Sequence, residues 1–464
     1  MERLQTEAHR RERRFFFDGR VVGGLGDLRG ALALDSEVLP TFLRIGYAPG
    51  TATLWKGVDC LPGGADIEVS AGRWVERARR SFATEVDRAR WSGMGREALV
   101  AEGGRLFQRA VTQAWRGEDP VVPLSGGLDS RAVLGALCEI VPPSRIQTVT
   151  WGTPGSLDFE LGCAVARAAG TRHLALDLGK VPFSAERLRE IAVLTDANTD
   201  LFQPVVWLAL REAYGVDATF WSGFTGDGIG GSFWSPEGPE SAAAGAFLAH
   251  ESRPIHWLEP SERDDVRDGA LADRGLKYAG AMSSDEAFWF ENHVERYTAH
   301  HLFPVGFSIR APFMDDDFVR FFLGVPSILR KDKALFDEVV VARYPALFRL
   351  PTSGYGYRLA RRPFAHAGFR ARSLLQRSVA RLTRGRLAVH PKVLYLDYAD
   401  AIRHRPDLRR TVEEALESLS KRDILDAGRI RRIWREHLEG REHRYTLTLL
   451  ASLEYMLQAL VDAR

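Results

Sequence analysis

The stretch Asp119–Ala136, reading Asp-Pro-Val-Val-Pro-Leu-Ser-Gly-Gly-Leu-Asp-Ser-Arg-Ala-Val-Leu-Gly-Ala, constrains the fold more than any other part of the chain. Its apolar run, Val121 to Leu124, reads as a buried strand. The run breaks at Ser125-Gly126-Gly127 and resumes at Asp129 as apolar positions with helical spacing through Leu137. A glycine-rich turn between a strand and a helix aims backbone N–H groups outward at the positive end of that helix. Such a turn is an anion seat, most often for phosphate or pyrophosphate. Ser125 and Ser130 add hydroxyl donors, and Asp129 is placed to hold a magnesium ion beside phosphates. The kinase-type phosphate loop carries Lys-Ser or Lys-Thr where this chain has Asp129-Ser130. A plain serine–glycine turn is the alternative, and six residues alone do not exclude it.

At 464 residues the chain exceeds a typical single domain, so two domains are expected. Its 45% hydrophobic and 27% charged residues are those of an ordinary globular protein. A net charge of +2 is too balanced for nucleic acid as the main partner. Cys60, Cys138 and Cys163 lie far apart without metal-ligand spacing and read as buried, reduced thiols of a cytoplasmic protein. Met1 to Arg14 is charged throughout, which is not a signal peptide, and no apolar run is long enough for a spanning helix.

Residues 1 to 13 read as a solvated, frayed helix. From Arg14 to Trp74 short strands and turns follow: Phe15-Phe16-Phe17 before Asp18-Gly19-Arg20, then Tyr47-Ala48-Pro49-Gly50 and Leu61-Pro62-Gly63-Gly64. Asp35 to Leu43 reads as a short helix capped by Asp35 or Ser36, and Val75 to Gly95 as a charged connector. Strands are then predicted at Val121–Leu124, Ile146–Trp151, His173–Leu176 and Ala218–Trp221. The helices between them are Ser130–Ile140, Leu157–Ala169 and one or two from Ser184 to Tyr214. This alternation predicts an α/β fold with a parallel, doubly wound sheet, and a mostly helical part after Gly269. The loops at 125–130, 152–158 and 222–231 all follow predicted strands, so they can converge on one edge.

The turn itself, Ser-Gly-Gly-Leu-Asp-Ser, resembles the PP-loop of ATP pyrophosphatases, which split ATP into AMP and pyrophosphate. Three further segments join it. Thr150-Trp151-Gly152-Thr153-Pro154-Gly155-Ser156-Leu157-Asp158-Phe159-Glu160 follows the second strand. Trp221-Ser222-Gly223-Phe224-Thr225-Gly226-Asp227-Gly228-Ile229-Gly230-Gly231 follows a later one, and Arg310-Ala311-Pro312-Phe313-Met314-Asp315 comes further on. In this order and spacing they resemble the synthetase domain of class B asparagine synthetases and their relatives, the β-lactam synthetases and lasso-peptide cyclases. The resemblance implies a PP-loop, adenine nucleotide alpha hydrolase-like domain over residues 96–464. It also implies that residues 1–90 are a truncated, β-rich, glutaminase-like region without the family's nucleophile cysteine, since position 2 is Glu2. A glutaminase needs that thiolate. Free ammonia, an amine, or ammonia from a separate partner is therefore the expected nucleophile.

What the family match implies for chemistry is carboxylate activation with ATP and Mg2+ as cofactors. The triphosphate would lie on Ser125, Gly126, Gly127, Asp129 and Ser130, with Ser222 and Gly223 at the nucleoside. Asp129 and Asp227 are assigned to magnesium. Asp227 could instead cap its own turn, and Asp315 is better explained as a helix N-cap before Phe318. Arg310 either pairs with phosphate or bridges to a carboxylate.

Where the family reads Ser-Gly-Glu this chain has Phe224, and the following acidic residue, tyrosine and later glutamate are Gly228, Ser232 and Ser308. The family's late Arg-x-Lys-x-Gly-Phe lysine has no counterpart in Leu350-Pro351-Thr352-Ser353-Gly354-Tyr355. Lys333, Lys331 or Arg358 could supply that positive charge, and Lys333, Arg310 and Arg358 are the catalytic candidates. These changes argue against aspartate as the assured substrate, and against β-lactam closure, which relies on a tyrosine–glutamate pair, leaving a uronic acid, a glycan or a peptide carboxylate open. They also leave two alternatives to an amide-forming ligase: a lasso-type peptide macrocyclase and a non-catalytic nucleotide-binding scaffold. A thiolating enzyme acting on tRNA would want metal-spaced cysteines and a basic groove, and nucleic acid is not expected as a partner. Arg361 to Arg386 holds eight arginines with Phe369, Leu374, Leu375, Val379 and Leu382 interleaved at roughly helical spacing. Such a helix either lies on an anionic membrane or acidic polymer, or rests its apolar side on the core, the plainer reading.

Overall fold

The computed structural model describes residues 2–7, 12–70, 72–236, 240–251, 255, 257, 277–353, 371, 374–379, 382, 390, 393 and 395–463. Strands β1 (Glu2–Gln5), β2 (Phe15–Phe17), β3 (Arg20–Val22), β4 (Val58–Cys60), β5 (Ala65–Ser70) and β6 (Arg73–Arg79) form two small antiparallel sheets, ordered β1-β5-β6 and β3-β2-β4. The β2–β3 hairpin turns on Asp18 and Gly19, both at positive φ (47° and 77°), the mirror-image turn whose twist suits paired strands.

Two expectations fail in this region. Residues 2–5 are a strand, not a frayed helix, because Leu4 pairs with Ile67 and packs over Phe16, Leu61 and Val69. The segment from Val75 is likewise no connector: it continues β6 and then forms the helices Phe82–Glu85 and Arg88–Ser92. Its charges pair across elements, Arg77 with Glu68 and Arg80 with both Glu85 and Asp316. The helix near Asp35 spans Leu39–Ile45, and the Asp35 carboxylate accepts from the Glu37 and Val38 N–H groups ahead of it.

The central sheet follows, with β7 (Val121–Pro123), β8 (Gln147–Gly152), β9 (Arg172–Asp177), β10 (Thr219–Trp221) and β11 (Ser308–Arg310). Its order is β11-β10-β7-β8-β9 and every neighbouring pair is parallel. The chain leaves β7 in one direction through β8 and β9 and returns on its other side through β10 and β11. The direction reverses between β7 and β10, which puts the loops after those two strands side by side at the topological switch point. The helices Asp129–Cys138, Leu157–Ala169, Ala185–Leu194 and Val206–Tyr214 connect the strands as the apolar spacing predicts. The edge strand β11, three residues long, is hidden from the sequence in a region that otherwise reads as helical.

After the sheet the described residues are mostly helical, ending in Pro406–Leu419, Ala427–Leu438 and Arg444–Leu460. The last of these is buried along most of its length and shares one core with Leu188, Ile191, Phe15, Leu25 and Trp55. Among the described residues no helix is long and apolar enough to cross a membrane. Much of the basic stretch 361–386 lies outside the described residues, as does Arg358. Of its described part, Leu374, Leu375 and Leu382 are exposed, so these leucines do not rest on the core as the plainer reading expects.

One buried histidine makes stability pH-dependent. The His437 Nε2–H donates to the Ala399 carbonyl (3.2 Å) while Nδ1 accepts from the His443 N–H (3.2 Å), a set that only the neutral ring satisfies. Burial first, and then Arg403, lower its pKa from 6.5 to about 4. The unfolded chain therefore takes up the proton more readily, and the contribution is complete above the ordinary histidine range and falls as pH drops toward 4. The expected loss at about pH 5 is roughly 2 kcal/mol. Urea titrations at several pH values check this, with the decline smaller by about that amount in His437→Gln, whose amide can make both bonds.

Candidate active site

Strand β7 ends in a buried apolar run, and Leu124 N–H donates to the Val149 carbonyl (2.8 Å) before the glycines release the chain. The turn is then held by side chains. Ser125 N–H donates to Ser130 Oγ (3.1 Å), Gly127 N–H to Ser125 Oγ (3.1 Å) and Gly126 N–H to Asp158 Oδ1 (3.0 Å). Two of the N–H groups expected to meet an anion, at Gly126 and Gly127, are thus engaged within the protein. The turn offers an anion two hydroxyls, 3.2 Å apart, and the start of the helix Asp129–Cys138, where no side chain caps the N-terminus.

The loop after β10 lies directly on this turn. Ser222 N–H donates to the Arg310 carbonyl (2.8 Å), and Phe224 N–H to Ser222 Oγ (3.1 Å). A Cβ on Gly223 would stand 2.7 Å from Ser130 N, and one on Gly226 would stand 3.0 Å from the Asp129 carboxyl carbon. Only glycine permits this approach. It brings Asp227 N–H to Asp129 Oδ2 (3.2 Å), so a single hydrogen bond ties the two loops. The other oxygen, Asp129 Oδ1, is buried without a hydrogen-bond partner. Burial first, and then the Asp227 charge, push Asp129 up to about 8, while Lys333 opposes the shift. Ser232, standing where the family has tyrosine, donates its hydroxyl to Asp227 Oδ2 (3.1 Å). Two carboxylates that repel each other, one with an orphaned buried oxygen, are a donor set that fits a hard divalent cation. Among the described residues no group of three or more His, Cys, Asp or Glu forms a closed metal cage.

Lys333 is buried, and its positive φ of 60° turns it at the start of the helix Ala334–Arg343, within electrostatic reach of Asp129. Lys331 instead lies over the Trp234 ring, 5.4 Å from its centroid. Arg310 contributes its backbone to the Ser222 loop, while its side chain lines a cavity of about 490 Å3 with Arg13, Arg14 and Asp196. Among the described residues it forms no ion pair with a carboxylate. Asp315 caps the helix Asp316–Gly324, accepting from the Asp317 and Phe318 N–H groups, as its position before Phe318 predicts.

Three features escaped the sequence reading. Asp158 accepts from both Gly126 N–H and Ser353 Oγ (2.9 Å), and Ser353 N–H donates to the Gly126 carbonyl (2.9 Å). Arg131, fully buried, donates to the carbonyls of Gly126, Leu347, Leu350 and Pro351, and burial lowers it to about 10. Together they fasten the segment that stands at the family's late lysine motif onto the turn. The third is Arg330, whose Nε donates to the Ile229 carbonyl (3.1 Å) while Nη2 pairs with Glu286 (2.6 Å), bracing the loop that carries Asp227. An arginine inside an apolar helix was the one available signal for Arg131. Asp158 lay within the Thr150–Glu160 segment, but its hold on the turn did not show, and Arg330 carried no signal, because their partners are remote in sequence.

Removing Asp158 frees the turn from its strap. Asp158→Ala is expected to weaken ATP binding about tenfold and to cost about 1–2 kcal/mol of stability. Calorimetric ATP titration beside urea unfolding checks this; unchanged affinity would show that the strap does not shape the turn.

The sequence profile of the family described as Asparagine synthase matches residues 102–461. The chain belongs to the asparagine synthase family. Enzymes of this family use ATP, and the parallel sheet with its strand–turn–helix is the fold that the segments at 125–130, 222–231 and 310–315 led us to expect. Over 117 residues the chain is 32% identical to the carboxyethyl-arginine beta-lactam-synthase of Streptomyces clavuligerus. That alignment covers 25% of this chain and 22% of the relative, so the matched part spans about a fifth of the curated relative's length.

Proposed function

We propose that this member of the asparagine synthase family is an ATP-dependent, amide-forming ligase that activates a carboxylate as an acyl-adenylate. The observation that carries the reading is the contact between the two switch-point loops, where Asp129 meets Asp227 beside the Ser125–Ser130 turn. A substrate carboxylate oxygen attacks the α-phosphorus of ATP, and the bond to the β-phosphate oxygen breaks to release pyrophosphate. An amine nitrogen then attacks the acyl carbon, loses a proton, and AMP departs. Asp129 and Asp227 would hold Mg2+, and bound magnesium would draw off negative charge from the departing pyrophosphate. The Ser125 and Ser130 hydroxyls and the uncapped helix start would hold phosphate oxygens, and Ser222 and Gly223 the nucleoside. Lys333 supplies the positive charge that the family's late lysine provides elsewhere, and Arg310 shapes the nucleoside loop through its backbone.

The amine is ammonia, or an amine of another molecule, rather than ammonia made from glutamine at one of these cysteines. Cys60 is buried, and burial pushes the Cys138 thiol up to about 11 and the Cys163 thiol above its ordinary value, the opposite of an activated thiolate. The matched relative is a β-lactam synthase by name. That favours a second reading in which amine and carboxylate sit on one molecule, as in a peptide macrocycle. Carboxylate-dependent ATP–pyrophosphate exchange tests the proposal with aspartate, uronic acids and carboxyl-terminal peptides. Exchange with one acid supports it, whereas ATP binding without exchange for any acid favours a nucleotide-binding scaffold.

A further inference from the structure

The Arg310 guanidinium is left unused by the rest of the protein. Among the described residues its side chain makes no hydrogen bond or ion pair, and its Nε is buried without a partner. It lines the cavity of about 490 Å3 between the segment Glu12–Arg14 and the edge strand β11, a space that no residue of the Ser125–Ser130 turn lines. Arg13 lines the same cavity, with its side chain only 2% exposed. Its Nε donates to Asp196 (2.6 Å) and its Nη2 to the Phe303 carbonyl (3.1 Å), which fixes the group in place. Its Nη1 is buried without a partner. Two guanidinium groups with unmet N–H donors therefore border one cavity, and buried donors are destabilising until something accepts from them.

The cavity also has carboxylates. Glu7, Glu12 and Asp196 line it, Asp196 being met by Arg13 and by the Leu25 N–H (2.9 Å), and Glu12 standing 4.0 Å from Arg14. These charges repel a dianion more than a single charge, which favours a carboxylate over a phosphate. Phe303, Val305 and Phe307 add an apolar wall, on which Val305 is 43% exposed.

We propose that this cavity binds a small organic carboxylate with a hydrocarbon tail, its oxygens on Arg310 and Arg13 and its tail along Val305. A guanidinium fork matches a carboxylate with two parallel hydrogen bonds. The Arg310 carbonyl accepts from the Ser222 N–H, so an occupant would sit against the residue that anchors the Asp227 loop. The site is separate from the phosphate turn and does not depend on the ligase reading.

Calorimetric titration of the full chain without magnesium, amine or ATP tests this, with hexanoate, acetate and inorganic phosphate as probes. Hexanoate is expected to bind at least about tenfold tighter than either of the others. Arg310→Met should weaken hexanoate at least about tenfold and leave thermal stability unchanged, because the native guanidinium has no partner to lose. Val305→Asp keeps Arg310 and sets a negative charge beside the tail, so it should weaken hexanoate by a similar factor. The proposal is overturned if hexanoate does not bind, if phosphate binds as tightly, or if both variants bind hexanoate like the native chain. Displacement of hexanoate by ATP in a competition titration also overturns it, since the acid would then lie on the phosphate turn. Absence of ATP–pyrophosphate exchange would sink the ligase reading and leave this result unaffected.

Discussion

Asp227→Asn is expected to lower carboxylate-dependent ATP–pyrophosphate exchange by about 10²–10³-fold while leaving the fold intact. The substitution is close to isosteric. The backbone N–H of residue 227 still reaches Asp129 Oδ2, and the amide oxygen can still accept from Ser232. What disappears is one negative charge facing a buried carboxylate whose second oxygen has no partner. Like charges so placed destabilise the folded chain, so the variant should be as stable as the native protein or slightly more so. Loss of exchange together with unchanged or increased urea resistance separates a cation-holding role from a structural one. Near-native exchange would remove Asp227 from the chemistry and leave it as an aspartate that caps its own turn.

Arg330→Met should produce the largest loss of stability. Arg330 and Glu286 are 1% and 2% exposed at their side chains and lie 2.6 Å apart, so removing the guanidinium strands a buried carboxylate. Breaking one side of such a pair costs about 3–5 kcal/mol. The variant also releases the Ile229 carbonyl, so the loop bearing Asp227 loses its brace and exchange should fall as well. Adding Glu286→Gln in the Arg330→Met background removes the stranded charge while its side-chain oxygen can still cap Ser283. That double variant should recover about half of the lost stability without recovering exchange. A single variant within about 1 kcal/mol of native would show that the pair behaves like a surface salt bridge.

These expectations rest unevenly on sequence. The strand at Val121, the helix Leu157–Ala169 and the turn between Leu124 and Asp129 were legible, because apolar periodicity and a glycine break are local signals. The aspartates of the site were also legible, since Asp129 and Asp227 sit inside short motifs. β1 was misread, because two-residue alternation is weak in a charged tetrapeptide and only pairing with β5 makes it a strand. β11 was missed because three residues carry too little pattern, and it is β10 that recruits them.

What the sequence by itself determined is the class of sheet, the strand–turn–helix around Ser125–Ser130 and the family. Each of these is written in residues close along the chain. Only the tertiary structure decided that Asp158 and Ser353 fasten the turn, that Arg131 holds four carbonyls, and that Arg330 braces the Asp227 loop. It also decided that Lys333 lies within electrostatic reach of Asp129, while Lys331 lies over the Trp234 ring. Those bonds, from Asp158 to Gly126 or Arg330 to Ile229, join groups far apart in sequence and leave no periodicity behind. A buried charge finds its partner only after the elements have packed, because only then does losing water make that partner necessary.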